Sequence, residues 1–572
     1  MKLDDVRRLT GPNLYSKGPG VIVELLLGDA EPAPSLTPIL HEWDALRARF
    51  GVPGGGDAIV RRSKGRIALV RSGPIDTLLA DAELAEWAVE RVLAVHHGGT
   101  APDDDAKLAL VTPLVESLRS ERLLALEAEA KERELPFLWD DDTVAIGTGP
   151  RAVSWPRASL PTVAEVDWDT LGHVPIAIIT GTNGKTTSTR LLARMAREGG
   201  LIAAATSTDG VTVGDAIIEA GDCTGPFAAR KALLRPEIGV ALLETARGGI
   251  LRRGLAVDGA DVALITNVSD DHLGTYGIDD VASMARVKAV VATAVRPGGV
   301  VVLNAEDENL QRLGDELARD GLGRRVAWFS PDESHPILVG ARARGLDVWT
   351  THSGEIIRRD QHGDHAIAPV GAIPITFGGR ARFNVENALA AAAAAHALGV
   401  PDAAIARALL GFLPTRDDNP GRGNVIDVHG VKVLLDFAHN AQGIRAVSSL
   451  AKALSDGHRL FVSTAHPGDR SDDALSETSA IIAASTPEHV YIRELIGYLR
   501  GRAPGETPAK LREALQRHGL PASSVIDAAD EVDALKRALA VAGPGDVILM
   551  LVHVEREAVA GALAQAMATA AT

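Results

Sequence analysis

Short, strongly apolar runs recur along most of the chain and alternate with stretches of helical periodicity. Beyond residue 174 these runs are typical of buried parallel strands, because a sheet covered by helices on both faces needs strands that are apolar on both sides. The alternation predicts βαβ units. The predicted strands are 174–180, 202–205, 240–243, 262–266, 299–303, 431–436, 459–463, 489–492 and 546–551.

The same pattern divides the chain into three predicted domains. Residues 1–161 combine a strand at 21–27 with amphipathic helices at 81–95 and 106–133, which predicts an α+β domain that ends in a Pro-containing linker at 154–161. Residues 162–414 predict a central α/β domain with a mostly parallel sheet and antiparallel hairpins at 347–377. Residues 415–572 predict a Rossmann-like α/β domain. The predicted fold class is α/β.

Composition narrows the set of partners. The 572 residues include 59 Lys and Arg against 75 Asp and Glu, a net charge of −16. Such an acidic surface argues against nucleic acid or an anionic membrane as the main partner. The single cysteine, Cys223, excludes an internal disulfide framework and a cysteine-built zinc site. With neither a signal peptide nor a membrane span in the pattern, we expect a cytoplasmic protein.

A glycine-rich segment joins the strand at 174–180 to a predicted helix. Its sequence, TGTNGKTT, places backbone N–H groups and the start of a helix around one anion. In such a loop the lysine pairs with the β and γ phosphates of ATP and the next hydroxyl can ligate Mg²⁺. The alternative is a turn that only begins a helix. The nucleotide-binding candidates are Gly181, Thr182, Asn183, Gly184, Lys185, Thr186 and Thr187.

This loop and three later motifs resemble the Mur ligase superfamily. The motifs are DCTGP at 222–226, ETARGGILR at 244–252 and TNVSDDHLG at 266–274, and together they resemble most the Mur-type module of cyanophycin synthetase. The resemblance runs from about residue 174 to the C-terminus. It implies a P-loop central domain and an ATP- and Mg²⁺-dependent amide ligase.

The resemblance assigns a second metal site to Glu244 and His272, each after a predicted strand, in addition to Thr186. A carboxylate and a neutral imidazole that converge on the phosphate loop suit a divalent cation. Taken singly, Glu244 could be a helix cap and His272 a loop histidine. Lys288 matches the region in which several Mur ligases carry a carbamylated lysine; the alternative is a surface lysine on a helix.

The third domain is expected to complete the ATP site. Asn384 and Asn387 match the segment that meets adenine in the family, and an amide suits a base edge because it both donates and accepts. Arg422 and Asp436 match a signature in which the arginine reaches phosphate and the aspartate holds ribose or orients its neighbours. Because Arg422 and Asp436 lie in the third predicted domain and Lys185 lies in the central one, we expect domain closure that excludes water.

Six further residues are candidates for substrate contact. Arginines that flank a pair of glycines could clamp a carboxylate, or form a solvated basic turn. The loop at 466–470 matches one that meets the incoming amino substrate, although an ordinary ion pair is the alternative. The substrate candidates are Arg247, Arg252, His439, Asn440, Asp469 and Arg470.

The predicted activity joins an amino acid to an activated carboxylate, with arginine and an aspartyl side chain as the leading pair. The opening RRLTGPNLYS resembles the start of the N-terminal domain of cyanophycin synthetase, and the Mur-type module follows it directly, leaving no room between them for an ATP-grasp domain. A separately encoded ATP-grasp ligase is therefore a candidate partner. A different acceptor, such as a wall precursor or a glutamyl chain, a non-catalytic nucleotide-binding role and a homo-oligomer stay open.

Overall fold

The computed structural model describes residues 1–28, 35–100, 104–271 and 273–568. The first region holds two antiparallel sheets, one of four strands in the order β1-β2-β4-β3 and one of three strands, β5-β6-β7. The strands are β1 (Lys2–Leu9), β2 (Gly20–Leu26), β3 (Gly55–Ser63), β4 (Arg66–Ser72), β5 (Phe137–Trp139), β6 (Thr143–Ile146) and β7 (Val153–Pro156). The helices are α1 (Thr37–Phe50), α2 (Leu78–His96), α3 (Asp104–Leu118) and α4 (Glu121–Glu132).

Two predictions for this region were wrong in detail. The amphipathic stretch at 106–133 is two helices rather than one, because Ser120 adopts an extended conformation and its side chain caps α4 by accepting from the Leu123 amide. The stretch at 154–161 is not a free linker, since its first residues belong to β7 and pair with β6. The half-buried Trp155 packs against the apolar cluster beneath this small sheet.

The middle region is built on an eleven-stranded sheet with the order β11-β10-β9-β12-β8-β13-β14-β15-β16-β17-β18. Its strands are β8 (Ile176–Thr180), β9 (Ala203–Ser207), β10 (Gly210–Val213), β11 (Ala216–Ala220), β12 (Val240–Glu244), β13 (Ala260–Ile265), β14 (Val295–Asn304), β15 (Arg325–Phe329), β16 (Val348–His352), β17 (Glu355–Asp360) and β18 (Gly363–Pro369). Its helices are α5 (Lys185–Glu198), α6 (Pro226–Leu233), α7 (Arg247–Arg253), α8 (Val281–Thr293), α9 (Glu308–Arg319), α10 (Pro336–Ala343), α11 (Arg382–Ala397) and α12 (Asp402–Gly411).

The centre of this sheet is parallel and its two edges are antiparallel hairpins. β8 is buried along its whole length, because one apolar cluster covers each face of the sheet. The alanine-rich α11 packs against α5 and the central strands, and its small side chains permit this close approach. The hairpins predicted at 347–377 are present, whereas the pair β10–β11 at the opposite edge was not predicted.

The last region is a six-stranded sheet in the order β19-β20-β24-β21-β22-β23, parallel except for the first pair. Its strands are β19 (Arg422–Val428), β20 (Val431–Asp436), β21 (Leu460–Thr464), β22 (His489–Ile492), β23 (Val525–Asp527) and β24 (Val547–Leu551). Its helices are α13 (Ala441–Ser455), α14 (Asp472–Ala484), α15 (Glu506–Arg517), α16 (Glu531–Val541) and α17 (Arg556–Ala568).

Apolar clusters cover both faces of this second sheet, as a doubly wound domain requires. The predicted α/β fold class is therefore confirmed, with the Rossmann-like arrangement at the C-terminal end. The domain boundaries at 161 and 414 stay predictions. Within the described residues, each helix is too short or too polar to cross a lipid bilayer.

Candidate active site

The phosphate loop lies at the carboxyl end of β8, where α/β sheets bind their ligands. Gly184 has a φ of +85°, and the helix α5 begins at the next residue, Lys185. The ammonium group of Lys185 folds back over the loop and donates to the carbonyl oxygens of Gly181 and Thr182, both at 3.0 Å. Loop amides, helix N-terminus and ammonium thus surround one small space of positive potential.

The segment after β13 holds the loop in this shape. The Thr266 hydroxyl donates to the Asn183 carbonyl at 2.6 Å, and the Asn267 side chain donates to the same oxygen at 3.1 Å while accepting from the Asn183 amide at 3.0 Å. The Ser269 amide donates to the Thr182 hydroxyl at 2.9 Å. These roles were not predicted, although the TNVS motif follows a strand that turns out to be the neighbour of β8.

Glu244 ends β12, on the other side of β8, and faces the start of α5. The Thr186 hydroxyl donates to Glu244 Oε1 at 3.2 Å, while the buried Oε2 has no hydrogen-bond partner among the described residues. Burial raises the pKa of this carboxyl group and nearby Lys185 opposes the rise. A hydroxyl and an orphaned carboxylate oxygen are hard donors, so this pair fits Mg²⁺.

His272 and Lys288 are the two remaining candidates for this part of the site, and the structure describes Lys288 alone of the two. His272 lies outside the described residues, and within the described part of the chain no three His, Cys, Asp or Glu side chains form a metal-binding group. Lys288 lies on α8 and is buried, so the alternative of a surface lysine was wrong. Burial, and then the positive charge of Lys185, hold the pKa of Lys288 well below its usual range. Its carbamylation stays a prediction.

A cavity of about 440 Å³ opens between the phosphate loop and the last region. Asn384 and Asn387 line it from α11, but their amides already pair: Asn387 donates to Asn384 at 3.1 Å, and Asn384 donates to the Ile375 carbonyl at 2.8 Å. Only the donors and acceptors that these two amides leave unused can therefore form hydrogen bonds with a ligand. Among the predicted residues, the cavity is lined by Thr182, Asn183, Gly184, Lys185, Thr186, Thr187, Glu244, Asn384, Asn387, Arg422, Asp436 and His439.

Arg422 and Asp436 form the opposite wall. The Arg422 guanidinium stacks over the Phe437 ring at 4.5 Å and donates to the Thr208 hydroxyl at 3.4 Å. Buried Asp436 accepts from the amides of Gly423 and Ala438, both at 2.8 Å, and its burial raises its pKa. Phe437 was not predicted as a site residue. An aromatic residue directly after a strand-terminal aspartate is the signal that could have identified it.

Among the predicted substrate residues, His439 lines the cavity, and most of the six are engaged within the protein. Arg247 donates to the Thr275 hydroxyl at 2.7 Å, whereas Arg252 turns back to the Gly248 carbonyl of its own helix at 3.1 Å. The two guanidinium groups therefore do not form one clamp in this structure. Burial lowers the pKa of Arg247.

The third-domain candidates bridge towards the phosphate loop. Asp469 and Arg470 do not pair with each other: Asp469 pairs with Arg500 at 2.5 Å, and Arg470 donates to Asp271 of the middle region at 2.9 Å. Asn440 caps α13 and donates to the Asn183 side chain at 3.1 Å.

His439 also belongs to this bridge. Its ring packs edge-on against Phe437, with the ring centroids 5.3 Å apart, and its Nε2 lies 3.7 Å from an oxygen of Asp271.

Fold and site define an α/β protein with a phosphate loop of the P-loop kind, in which a second α/β region completes the cavity. The Mur ligase middle domain matches residues 179–395, and the glutamate ligase domain of Mur ligases matches residues 421–551. The chain belongs to the Mur ligase family, whose members are ATP-dependent amide ligases.

Individual relatives agree with this assignment. The chain is 37% identical to the cyanophycin synthetase of Geminocystis herdmanii over 378 residues, which cover 66% of this chain and 42% of that protein. It is 28% identical over 403 residues to the UDP-N-acetylmuramoyl-L-alanyl-D-glutamate–2,6-diaminopimelate ligase of Geobacter metallireducens, covering 66% of this chain and 73% of that protein. The match thus spans less than half of the cyanophycin synthetase.

The fold has a counterpart among solved structures. Escherichia coli FolC in complex with DHPP and ADP superposes with a TM-score of 0.50 and 21% identity, over 70% of this chain and 89% of FolC. At this level of identity the likeness concerns the fold alone.

Proposed function

We propose that the protein is an ATP-dependent ligase that activates a carboxylate as an acyl phosphate and joins it to an amine. The observation that carries this proposal is the pairing of Thr186 with the orphaned Glu244 carboxylate next to Lys185, in a cavity closed by Arg422 and Asp436. The two Mur ligase domains support the same reaction class.

The residues divide the first step between them. Acceptor carboxylate and γ-phosphate are both anions, so their approach requires fixed positive charge. The Lys185 ammonium can exchange its two carbonyl partners for phosphate oxygens, and the loop amides hold the phosphate chain. Thr186 and Glu244, with His272 as a further candidate, would hold Mg²⁺, which supplies charge neutralisation at the phosphates. An acceptor oxygen then bonds to the γ-phosphorus and ADP leaves.

The second step needs a dry site. The amine nitrogen attacks the acyl carbon, the amide bond forms, inorganic phosphate leaves, and the amine loses a proton. Water competes for the same carbon. Arg422 and Asp436 come from the last region, so the closed arrangement covers the phosphate loop and excludes water while the acyl phosphate exists.

For the substrates, we propose an aspartyl side-chain carboxylate and arginine or a similar basic amino acid. The support is the identity with cyanophycin synthetases, together with the carboxylate of Asp271, which lies 3.7 Å from the cavity-lining His439. A wall precursor or glutamyl acceptor is the alternative, and a separate ATP-grasp ligase is a proposed partner. A non-catalytic role is disfavoured, because Lys185, Thr186, Glu244 and Asp436 are all present.

The test is phosphate release from ATP and Mg²⁺ with aspartyl acceptors, while each amino acid is supplied in turn as the amine. We expect release that requires both an acceptor and one basic amino acid. Lys185→Ala should lower the rate by about 10²-fold or more, because a charge that stabilises the transition state is lost. Lys231→Ala is the matched control, since Lys231 pairs with Glu219 on the surface. ATP binding without release for any pair would reject the proposed substrates.

A further inference from the structure

The start of the first region interlocks with the end of α7. The Thr10 amide donates to the Arg253 carbonyl and the Leu255 amide donates to the Pro12 carbonyl, both at 2.7 Å. The contact is close enough that a Cβ at Gly11 would lie 2.2 Å from the Leu255 carbonyl oxygen. Because α7 begins at Arg247, this junction ties the first region to the helix that carries this predicted substrate residue.

Arg7 extends the junction inward from β1. Its side chain is only 9% exposed and pairs with Glu24 at 3.0 Å and Asp5 at 2.7 Å. From this anchored position it donates to the Leu251 carbonyl of α7 at 3.2 Å. Its guanidinium carbon also lies 5.1 Å from the centroid of the Tyr276 ring, a cation–π distance. The Arg7 side chain therefore contacts both α7, through Leu251, and the loop that carries Tyr276.

The loop that Arg7 contacts carries the partner of Arg247. Tyr276 has a φ of +54°, a backbone conformation that persists only when neighbouring structure imposes it. The preceding residue, Thr275, accepts the hydrogen bond from Arg247. A second contact comes from the turn between β3 and β4, where the Lys64 amide donates to Asp279 at 3.1 Å. The first region thus holds residues 273–279 at two points.

We propose that Arg7 is a positioning residue of the ligase site: through Tyr276 and α7 it fixes the place of Arg247, which receives the acceptor carboxylate. The carboxylate contact of Arg247 is the one predicted from the sequence, and its assignment to the acceptor rests on the proposed function. The first region then contributes to acceptor binding and leaves nucleotide binding to the phosphate loop, which it does not contact through these residues.

The first test is hydrogen–deuterium exchange on the full-length protein without substrates. In Arg7→Ala we expect the amides of residues 273–279 and of α7 to exchange about 10-fold faster or more, with the start of α5 unchanged. Arg66→Ala is the matched control, because Arg66 lies in the same sheet but pairs with Asp4 at the surface. Tyr276→Leu removes only the ring and should loosen the same loop.

The second test is kinetic. Arg7→Ala should raise the KM for the acceptor about 10-fold and change the KM for ATP by less than about twofold, a split that general loss of structure would not produce. Unchanged exchange in residues 273–279 in either Arg7→Ala or Tyr276→Leu would overturn the proposal, as would equal losses in both KM values. If the exchange result holds but the wild-type protein turns over no substrate pair, the proposed function fails while the positioning role stands.

Discussion

At the scale of the residue, Glu386 is a carboxyl group that lines the cavity and has a raised pKa. Burial, followed by repulsion from Glu306, raises its pKa to about 7, and Arg382 only partly opposes the rise. Its side chain is 24% exposed, so solvent screens part of the effect. The folded protein therefore takes up a proton at Glu386 at a pH where the unfolded chain has already lost it.

The sign of the pH dependence follows from this affinity. Between about pH 4.5 and pH 7 the folded state binds more protons than the unfolded state, so the Glu386 contribution to the free energy of unfolding falls as the pH rises. Glu386→Gln should be more stable than the wild type at pH 8 by about 1–2 kcal/mol, after the discount for exposure. At pH 4 the two should be equal.

Urea unfolding at the two pH values measures this difference. Glu308→Gln serves as control, since Glu308 is 81% exposed in its pair with Arg312. A Glu386→Gln variant that gains nothing at pH 8 would show that solvent or the pair with Arg382 fully offsets the burial of the carboxylate.

At the scale of the element, the join between the phosphate loop and α11 depends on one glycine. Besides its positive φ, Gly184 approaches α11 so closely that a Cβ would lie 2.2 Å from Asn387 Oδ1. Gly184→Ala should therefore strain the loop backbone at this positive φ, displace the Asn387 side chain and weaken ATP binding by about 10-fold or more, which corresponds to about 1.4 kcal/mol.

Calorimetric titration with an ATP analogue gives the affinity. In Gly371→Ala, where a Cβ would meet nothing within 4 Å, the affinity should match the wild type. Equal affinities for Gly184→Ala and Gly371→Ala would contradict the close packing seen here.

Elements whose parts are contiguous in the sequence could be predicted, whereas contacts between distant elements could not. The loop between β8 and α5 could be predicted because strand, glycines and helix are contiguous. The support of that loop by Thr266 and Asn267 could not, since it depends on β13 lying beside β8, and strand order is a property of the whole sheet. The hairpin β10–β11 was not predicted because its strands have only four and five residues and β11 is largely exposed, so neither strand carries a long buried apolar run. Nor do adjacent residues indicate that Arg7 reaches α7, which lies 244 positions away.

At the scale of the whole molecule, three of the polar contacts that hold the last region over the phosphate loop come from different parts of that region. Asn440 bonds to Asn183, Arg470 bonds to Asp271, and Arg556 at the start of α17 bonds to Asp209 at 2.8 Å. Asp209 also pairs with Arg190 of α5. Loss of Arg556 would thus loosen the closed arrangement without leaving a buried charge unpaired.

If the last region closes less tightly over the phosphate loop, we expect more hydrolysis of the acyl phosphate and little change in the affinity for ATP. Water that enters the site hydrolyses this intermediate, so ATP is consumed without amide formation. In the wild type we expect about one phosphate released per amide, and in Arg556→Ala a ratio of about two or more, measured by assaying phosphate and amide in the same reaction. Arg416→Ala is the control, because Arg416 and its partner Glu557 are 55% and 79% exposed and such a pair contributes little. A ratio of one in Arg556→Ala, with amide formation slowed equally, would mean that the contact between Arg556 and Asp209 does not control the exclusion of water.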